Sequence, residues 1–286
     1  MYNIYKITKI SFFSFIIFTT ILIIQKCHYK NKILINVKDV LFVNGVDPKF
    51  LPHPYRYRVL HQMEQLNAGF LESDKYFYLN FDPIIVKNYR IIIFYRCPWT
   101  ENVQQAIELA KSLNKKILFD IDDLVIDTKY TDEITYIKTL STKEKKLYDN
   151  GVMLMGKTLK RCDGAITTTK SLAKELKNFV SNVYINHNVA SEEMWKLSQK
   201  ALIDKDNNKR NNYIIIGYFS GSISHISDIE MIIPALLRII NEFKNVKLLF
   251  LGPIELKSLN KFPSQIIKKS FVDWHKLPEI ISNSTN

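Results

Sequence analysis

Three carboxylates follow an apolar run in the segment KKILFDIDD, which places Asp120, Asp122 and Asp123 near the end of an expected β-strand. The alternation of a strand puts Asp120 and Asp122 on one face, and ligands of open α/β sheets bind beyond the carboxyl ends of the strands. Carboxylates there could orient a substrate hydroxyl, act as a general base or hold a divalent cation. A structural explanation stays open, in which one carboxylate caps a turn and another is only solvated.

A second candidate site is the segment SGSISH, which contains Gly221, Ser222 and His225 and follows the apolar run at residues 213–219. Small residues let the backbone approach an anion, and the first amides of a helix supply partial positive charge. The pattern therefore fits a diphosphate. One glycine and three serines are also the composition of an ordinary loop between a strand and a helix, and a single histidine often has a structural role.

Two arginines, Arg56 and Arg58, lie in the segment PHPYRYR at an expected helix start. A cation at the N-terminus of a helix opposes the helix dipole. Both side chains therefore need an anionic partner or solvent, and substrate binding and simple solvation are equal alternatives.

A formal match to the phosphate-loop pattern GxxxxGK[ST] occurs at residues 151–158, GVMLMGKT. Such a loop must follow a buried strand, but the preceding residues KEKKLYDN are polar and typical of a helix. Tyr148, Val152, Met155 and Leu159 continue one helical stripe through the match. The sequence therefore predicts an uninterrupted helix here and not a phosphate loop.

Short apolar runs alternate with helical patterns from Lys38 onward, which predicts an α/β fold with a mostly parallel sheet. A helix with a capping box is expected to begin at Ser227, because Glu230 follows three residues later. The expected strands are residues 40–43, 76–79, 91–95, 116–121, 165–168, 183–185, 213–219 and 246–251.

The segment DKDNNKRNN at residues 204–212 contains no apolar side chain and predicts a linker. We therefore expect a first α/β domain at residues 36–203 and a second, partial domain at residues 213–286. A separate hydrophobic segment is expected at residues 1–35.

An apolar run at residues 10–24 is flanked by lysines on both sides. Fifteen helical residues span roughly 22 Å, less than the ~30 Å hydrocarbon core of a bilayer. No signal-peptide cleavage site follows the run, so we expect an uncleaved membrane anchor. The larger cluster of lysines after the run favours the rest of the chain on the cytoplasmic side. The alternative is a hydrophobic helix that packs against the folded part of the chain.

The composition excludes a disordered chain, because 47% of the 286 residues are hydrophobic. The formal net charge of +12 fits a nucleic acid, an anionic membrane or a phosphorylated ligand. The lysines are scattered without a dense basic block, so we expect no nucleic-acid partner. Three distant cysteines predict neither a disulfide framework nor a zinc site.

Several segments together resemble family 4 retaining glycosyltransferases of the GT-B fold, of the type found in bacterial surface-polysaccharide clusters. The resemblance extends roughly from Val40 to the end of the chain and is most specific in DIDD and YFSGSxSH. It implies two Rossmann-like domains, of which the second is incomplete here, after a short hydrophobic N-terminal helix. The segments are YRYRVLHQMEQLNAGF, ILFDIDDLVID, GAITTTKSLAKEL, VYINHN, IGYFSGSISHISDI and VKLLFLGP.

The resemblance also implies a hexosyltransferase that uses a nucleotide-diphosphate sugar as co-substrate and needs neither a metal nor another cofactor. The acceptor would be a saccharide or a lipid-linked hydroxyl in cell-surface polysaccharide or glycolipid synthesis, at the cytoplasmic side of the cell membrane. Asp122 and Asp123 become the candidate catalytic residues. The candidate substrate-binding residues are Arg56, Arg58, Gly221, Ser222 and His225.

One feature of the family is missing. Its members carry a paired-glutamate segment and basic residues further along the second domain, and this sequence ends at Asn286 before such a segment. We therefore expect weak or no activity from this polypeptide alone, because a leaving diphosphate needs charge stabilisation. The alternatives are a non-catalytic nucleotide-sugar-binding remnant and a nucleic-acid-binding Rossmann-like protein.

Overall fold

The computed structural model describes residues 37–132, 134–206, 213–221, 226–254 and 257–284. The chain divides into two compact units. The first unit extends to Glu133 and resumes at Ser141–Val189, and the second comprises Ile134–Leu140 and the residues from Ala190 onward. The expected hydrophobic segment at residues 1–35 lies outside the described residues. Among the residues that are described, no helix is both long enough and apolar enough to cross a bilayer.

Six parallel strands form the sheet of the first unit, in the order β2-β1-β3-β4-β5-β6. The central strands have apolar middles and polar residues near their ends, because helices cover both faces of such a sheet. The strands are β1 (Lys38–Asn44), β2 (Ser73–Phe77), β3 (Tyr89–Tyr95), β4 (Lys116–Asp120), β5 (Gly164–Thr167) and β6 (Val183–Ile185).

Two hydrophobic clusters, one on each face of this sheet, make up the core of the first unit. Alternate residues of β1 enter different clusters: Leu41 and Val43 enter one, and Val40 and Phe42 enter the other. The predicted α/β class with a mostly parallel sheet is therefore confirmed for this unit, whose sheet is doubly wound. Its helices are α1 (Pro52–Tyr55), a π-helical turn (Arg56–Leu60), α2 (His61–Ala68), a 3-10 helix (Pro83–Asn88), α3 (Glu101–Ser112), α4 (Thr128–Thr131), α6 (Thr142–Leu159) and α7 (Lys170–Leu176).

The second unit contains a parallel sheet with the strand order β7-β8-β9. One apolar stripe of its longest helix packs on the central strand, as Ile229 and Ile233 do against Leu248 and Phe250. The elements are α5 (Thr135–Lys138), α8 (Glu192–Asp206), β7 (Ile214–Phe219), α9 (Ile226–Glu242), β8 (Val246–Leu251), a 3-10 helix (Lys257–Lys261), β9 (Ile266–Lys269), a second 3-10 helix (Trp274–Lys276) and α10 (Leu277–Ser282).

All eight predicted strands are present, and two of them, β6 and β8, have the predicted bounds. The bounds of β2 were wrong: it begins three residues earlier than predicted, because polar Ser73, Asp74 and Lys75 form an edge strand without an apolar pattern. The four-residue strand β9 was missed. The predicted capping box was also wrong, because α9 begins at Ile226 and Ser227 lies inside the helix.

Helix α8 continues to Asp206, through the first three residues of the predicted linker, and Ser282 Oγ of α10 donates to Ala201 O of α8 at 2.8 Å. The last six residues of that linker, 207–212, lie outside the described part of the chain. The predicted division into domains at 36–203 and 213–286 stays a prediction.

Helix α6 runs without interruption through residues 151–158, which confirms that the apparent phosphate loop is helical. Its two glycines have different environments. A Cβ at Gly156 would lie 2.1 Å from the backbone oxygen of Ile126, whereas a Cβ at Gly151 would meet no atom within 4 Å. The backbone of Ile126 therefore comes so close to Gly156 that no larger residue fits there, whereas Gly151 has room for a side chain.

We expect Gly156→Ala to lower the free energy of unfolding by about 1–3 kcal/mol, because the new methyl group overlaps backbone that cannot rotate away. The matched control is Gly151→Ala, which we expect to raise it by about 0.5–1 kcal/mol, since alanine is the better helix former. Urea unfolding of both variants measures the two effects. A shift of the same sign in both would contradict the assignment.

Candidate functional site

The strand order of the first unit places a topological switch point between β1 and β3, because the chain winds in opposite directions from there. Ligands of open α/β sheets bind at such a point, outside the carboxyl ends of the strands. The residues that follow the neighbouring ends are Gly45 after β1, Arg96 after β3 and Ile121 to Asp123 after β4. Polar side chains gather at this edge in two clusters.

The first cluster is centred on Arg58, and we call it the Arg58 cluster. The Nε and Nη2 groups of Arg58 donate to the two carboxylate oxygens of Asp120, each at 2.8 Å, and both side chains are 0% exposed. Gln62 donates to the same carboxylate at 2.9 Å. Nη1 of Arg58 donates to Asn186 O at 2.7 Å and to Asn188 Oδ1 at 3.1 Å. Arg58 therefore connects the end of β4 to the segment after β6.

Burial raises the pKa of Asp120, and the charge and hydrogen bonds of Arg58 oppose that rise. A buried carboxylate keeps its charge only while a partner compensates for lost hydration. A cation at the start of a helix was expected to need an anionic partner or solvent, and the partner of Arg58 is Asp120. The predicted contact of Arg58 with a substrate finds no support in this geometry, because the guanidinium is enclosed by protein.

The second cluster is centred on Arg96, and we call it the Arg96 cluster. Its Nε and Nη2 groups donate to one oxygen of Asp122 at 2.9 and 2.7 Å, and Nη2 also donates to Asp123. The side chain of Asp122 is 13% exposed and that of Asp123 is 62% exposed. The structure therefore brings both candidate catalytic carboxylates together on one guanidinium and leaves Asp123 open to solvent.

Tyr95 extends this cluster, with its hydroxyl 3.4 Å from Asp122. Burial raises the pKa of the Tyr95 phenol, so the hydroxyl stays protonated and donates to the carboxylate. Burial lowers the pKa of Arg96, but the charges of Asp122 and of neighbouring groups outweigh that effect and raise it. Arg96 is therefore a permanent cation, and Asp122 is oriented and partly neutralised by it.

The backbone at Arg96 has a positive φ of 45°, a conformation that costs a non-glycine residue free energy and is concentrated at functional sites. A Cβ at Gly45 would lie 2.2 Å from the carbonyl oxygen of Arg96, so only glycine fits opposite this bend. Gly45 N also donates to Tyr95 O at 2.7 Å. The strained turn directs Arg96 toward the end of β4, where Asp122 and Asp123 lie.

Arg56 lies in the π-helical turn between α1 and α2 and is 8% exposed. Its Nη2 is 2.8 Å from His53 Nδ1, and its guanidinium lies 5.2 Å from the centre of the Tyr57 ring. Single π-helical turns are frequent at functional sites. Arg56 is thus near the Arg58 cluster along the chain, but it is not one of its members.

The remaining predicted residues belong to the second unit. Gly221 follows β7 and is exposed, and a Cβ there would meet no atom within 4 Å. Ser222 and His225 lie outside the described residues. Gly252 after β8 has a φ of 111°, and a Cβ there would lie 2.0 Å from Ser220 O. The glycine that permits close backbone packing beside this loop is therefore Gly252.

Sequence reasoning assigned no site role to five residues of these clusters, which are Gln62, Tyr95, Arg96, Asn186 and Asn188. A usable signal existed for Arg96, since it follows the apolar run 91–95 as directly as the aspartates follow theirs. No local pattern pointed to Asn186 and Asn188, because their partner is about 130 residues away.

No group of three or more His, Cys, Asp or Glu side chains that could hold a metal ion occurs in the described part of the chain. Asp122 and Asp123 are instead held by Arg96. The expectation that the protein needs no metal or other cofactor stays a prediction.

No family model matches the chain, and no curated protein matches it. Solved structures similar to it include the UDP-GlcNAc 2-epimerase of Neisseria meningitidis bound to UDP-GlcNAc, with 10% identity, coverage of 85% of this chain and 75% of that chain, and a TM-score of 0.41. Another is a UDP-glucosyltransferase of Polygonum tinctorium that glucosylates indoxyl, with 12% identity, 87% and 75% coverage, and a TM-score of 0.39. A third is the UDP-GlcNAc 2-epimerase of Methanocaldococcus jannaschii, with 9% identity, 86% and 76% coverage, and a TM-score of 0.40. These likenesses are too distant to assign a chemistry.

We expect Arg58→Met to lower the free energy of unfolding by about 3–5 kcal/mol, because Asp120 is left buried without its partner. The matched control is Lys38→Met. Lys38 pairs with Asp74 at 2.7 Å, but these side chains are 40% and 32% exposed, so its loss should cost far less than the loss of Arg58. Guanidinium unfolding measures both effects. Equal losses in the two variants would contradict the structural role of the Arg58 cluster.

Proposed function

We propose that the protein is a glycosyltransferase that moves a sugar from a nucleotide-diphosphate donor to an acceptor hydroxyl. The observation that carries the proposal is the Arg96 cluster, in which two carboxylates stand at the carboxyl edge of a doubly wound parallel sheet. The proposal is further supported by the resemblance of the DIDD and YFSGSxSH segments to family 4 glycosyltransferases. It includes retention of the anomeric configuration and a role in cell-surface polysaccharide or glycolipid synthesis.

Asp123 is the residue we assign to the acceptor, because its carboxylate is the more exposed of the pair. A carboxylate oxygen accepts a hydrogen bond from the acceptor hydroxyl and orients its oxygen toward the anomeric carbon. Asp122, held by Arg96 and Tyr95, positions this arrangement. Arg96 contacts both carboxylates and fixes where they lie, so we assign them a positioning role.

In the second unit, the loop after β7 is assigned to the donor diphosphate. Gly221 carries no side chain that would keep an anion from the backbone, and it precedes the helix α9, whose first amides offer partial positive charge. In the transfer, the bond between the anomeric carbon and the diphosphate oxygen breaks and the bond to the acceptor oxygen forms. The acceptor proton leaves with the departing diphosphate, and the amides stabilise the charge that develops there.

Binding of a donor is the direct test of this proposal. Isothermal titration calorimetry of the chain with UDP-, GDP- and dTDP-linked hexoses should detect binding of at least one of them. Absence of heat with every donor would overturn the nucleotide-sugar assignment.

We expect Gly221→Val to abolish measurable donor binding, because its branched side chain stands between the diphosphate and the backbone amides. The variant should keep the unfolding midpoint of the parent, since the space around Gly221 is open. Calorimetry and thermal unfolding measure the two properties. Unchanged donor affinity would remove the loop after β7 from the site.

We expect Asp123→Asn to lower kcat for sugar transfer by about 10²-fold, the loss expected when an acceptor hydroxyl is misplaced. The matched control is Asp127→Asn. Asp127 caps α4 by accepting from Lys129 N at 3.0 Å, and asparagine caps a helix equally well. Radiolabelled sugar transfer to an extracted lipid or saccharide acceptor measures the rate. Similar rates in the two variants would exclude Asp123 from the reaction.

A further inference from the structure

Cations cover two aromatic rings at the C-terminal end of α6. Lys157 Nζ lies 5.1 Å and Arg161 Cζ lies 5.3 Å from the centre of the Trp99 ring. Lys160 Nζ lies 5.5 Å from the centre of the Phe179 ring. The three cations are exposed and the two rings are partly buried beneath them. We call this surface, formed by Lys157, Lys160, Arg161, Trp99 and Phe179, the cationic face.

A fourth cation and a carboxylate lie beside the cationic face, because Lys129 Nζ is 5.4 Å from the centre of the Phe179 ring and Glu175 accepts from the Tyr130 hydroxyl at 2.8 Å. Within the described residues, no carboxylate forms an ion pair with its three cations, and the neighbouring Asp163 accepts instead from Ile117 N at 2.8 Å. The N-terminal half of the same helix is different, because Lys145 pairs there with Asp132 at 2.8 Å and Asp149 at 2.7 Å.

This accumulation of like charge is unfavourable by itself. Lys157 lies in the last turn of α6 and Arg161 lies two residues beyond its end, and the two cations repel each other because both approach the Trp99 ring. The helix dipole favours cations in the last turn, but it is equivalent to only about half an elementary charge. Cation–π contacts at an exposed surface stabilise each cation modestly. Three clustered cations therefore favour an anionic partner outside the chain.

The geometry of the rings distinguishes between polyanions. A single-stranded nucleic acid stacks its bases on open aromatic faces, but Trp99 carries two cations over its ring. An anionic phospholipid surface needs only cations near its headgroups, with amphipathic aromatic rings close by. The apolar run at residues 10–24, flanked by lysines, is a hydrophobic signal for membrane binding, and the cationic face is an electrostatic one. Stable attachment to a bilayer takes two such signals.

We propose that the cationic face docks the first unit onto an anionic phospholipid bilayer. Lys157, Lys160 and Arg161 meet the lipid phosphates, and Trp99 and Phe179 hold the three cations at the surface. The proposal goes beyond sugar transfer and does not depend on it.

The test uses the full chain with Trp195→Phe and Trp274→Phe, which leaves Trp99 as its single tryptophan. Vesicles of phosphatidylcholine, with or without about 30% phosphatidylglycerol, carry a dansyl-labelled headgroup that accepts energy from Trp99. We expect energy transfer on the phosphatidylglycerol vesicles and its loss in high salt. We also expect Lys157→Gln, Lys160→Gln and Arg161→Gln together to lower affinity by about 100-fold, at about fivefold for each cation.

The matched control removes three exposed lysines elsewhere, by Lys143→Gln, Lys146→Gln and Lys200→Gln, and so changes the net charge equally. It should leave the energy transfer within twofold of the parent. If residues 10–24 alone keep the chain on the vesicle, sedimentation stays constant, but energy transfer from Trp99 still reports whether the cationic face touches lipid. Urea midpoints verify that all variants are folded.

Three results would overturn the proposal. The control could weaken docking as much as the triple variant, which would assign the effect to net charge alone. Energy transfer could be equal on pure phosphatidylcholine, which would leave no role for the anionic lipid. The triple variant could lose binding to polyuridylic acid without any dependence on phosphatidylglycerol, which would assign the cationic face to a nucleic acid.

Discussion

The buried ion pair between Arg58 and Asp120 is the interaction on which the carboxyl edge of the large sheet depends. Neither side chain reaches solvent, so each charge is tolerable only while the other compensates for its lost hydration. The same guanidinium holds the backbone of Asn186 and the side chain of Asn188. One side chain thus fixes three parts of the chain together: the end of β4, the helical turn after β1 and the segment after β6. Asp122 and Asp123 follow Asp120 in the chain by two and three residues, so this pair holds the backbone from which they extend.

A second constraint acts one strand away. The positive φ of Arg96 turns its side chain toward the end of β4, and Gly45 leaves room for that turn. As a result, the three neighbouring carboxylates differ in their partners and in their exposure to solvent. Asp120 is committed to structure and Asp122 is held by Arg96 and Tyr95, whereas Asp123 shares Arg96 and still faces solvent. Their exposure, not their shared residue type, separates the carboxylate enclosed by protein from the one open to solvent.

The sequence predicted most of the fold, because strands buried on both faces read as apolar runs. It failed at the edges: β2 is polar and β9 has only four residues, so neither shows that pattern. It located Asp122 and Asp123 because they follow a buried strand, and it rejected the apparent phosphate loop because α6 continues through it. It could not pair Arg58 with Asp120, since that contact joins residues 62 positions apart and no local periodicity encodes it.

The positive charges of the protein lie in two different environments, one inside the fold and one at its surface. Arg58 and Arg96 are the arginines nearest the candidate site, yet both are neutralised by aspartates within the same unit. They organise the carboxyl edge and offer little attraction to a distant anion, because each guanidinium is compensated by a carboxylate in direct contact with it. Attraction at long range comes instead from exposed cations such as Lys157, Lys160 and Arg161, which form no ion pair with any carboxylate in the described part of the chain. The cations that contribute to the net charge of +12 therefore have two different physical roles. Some compensate buried carboxylates, and others attract anions at the surface.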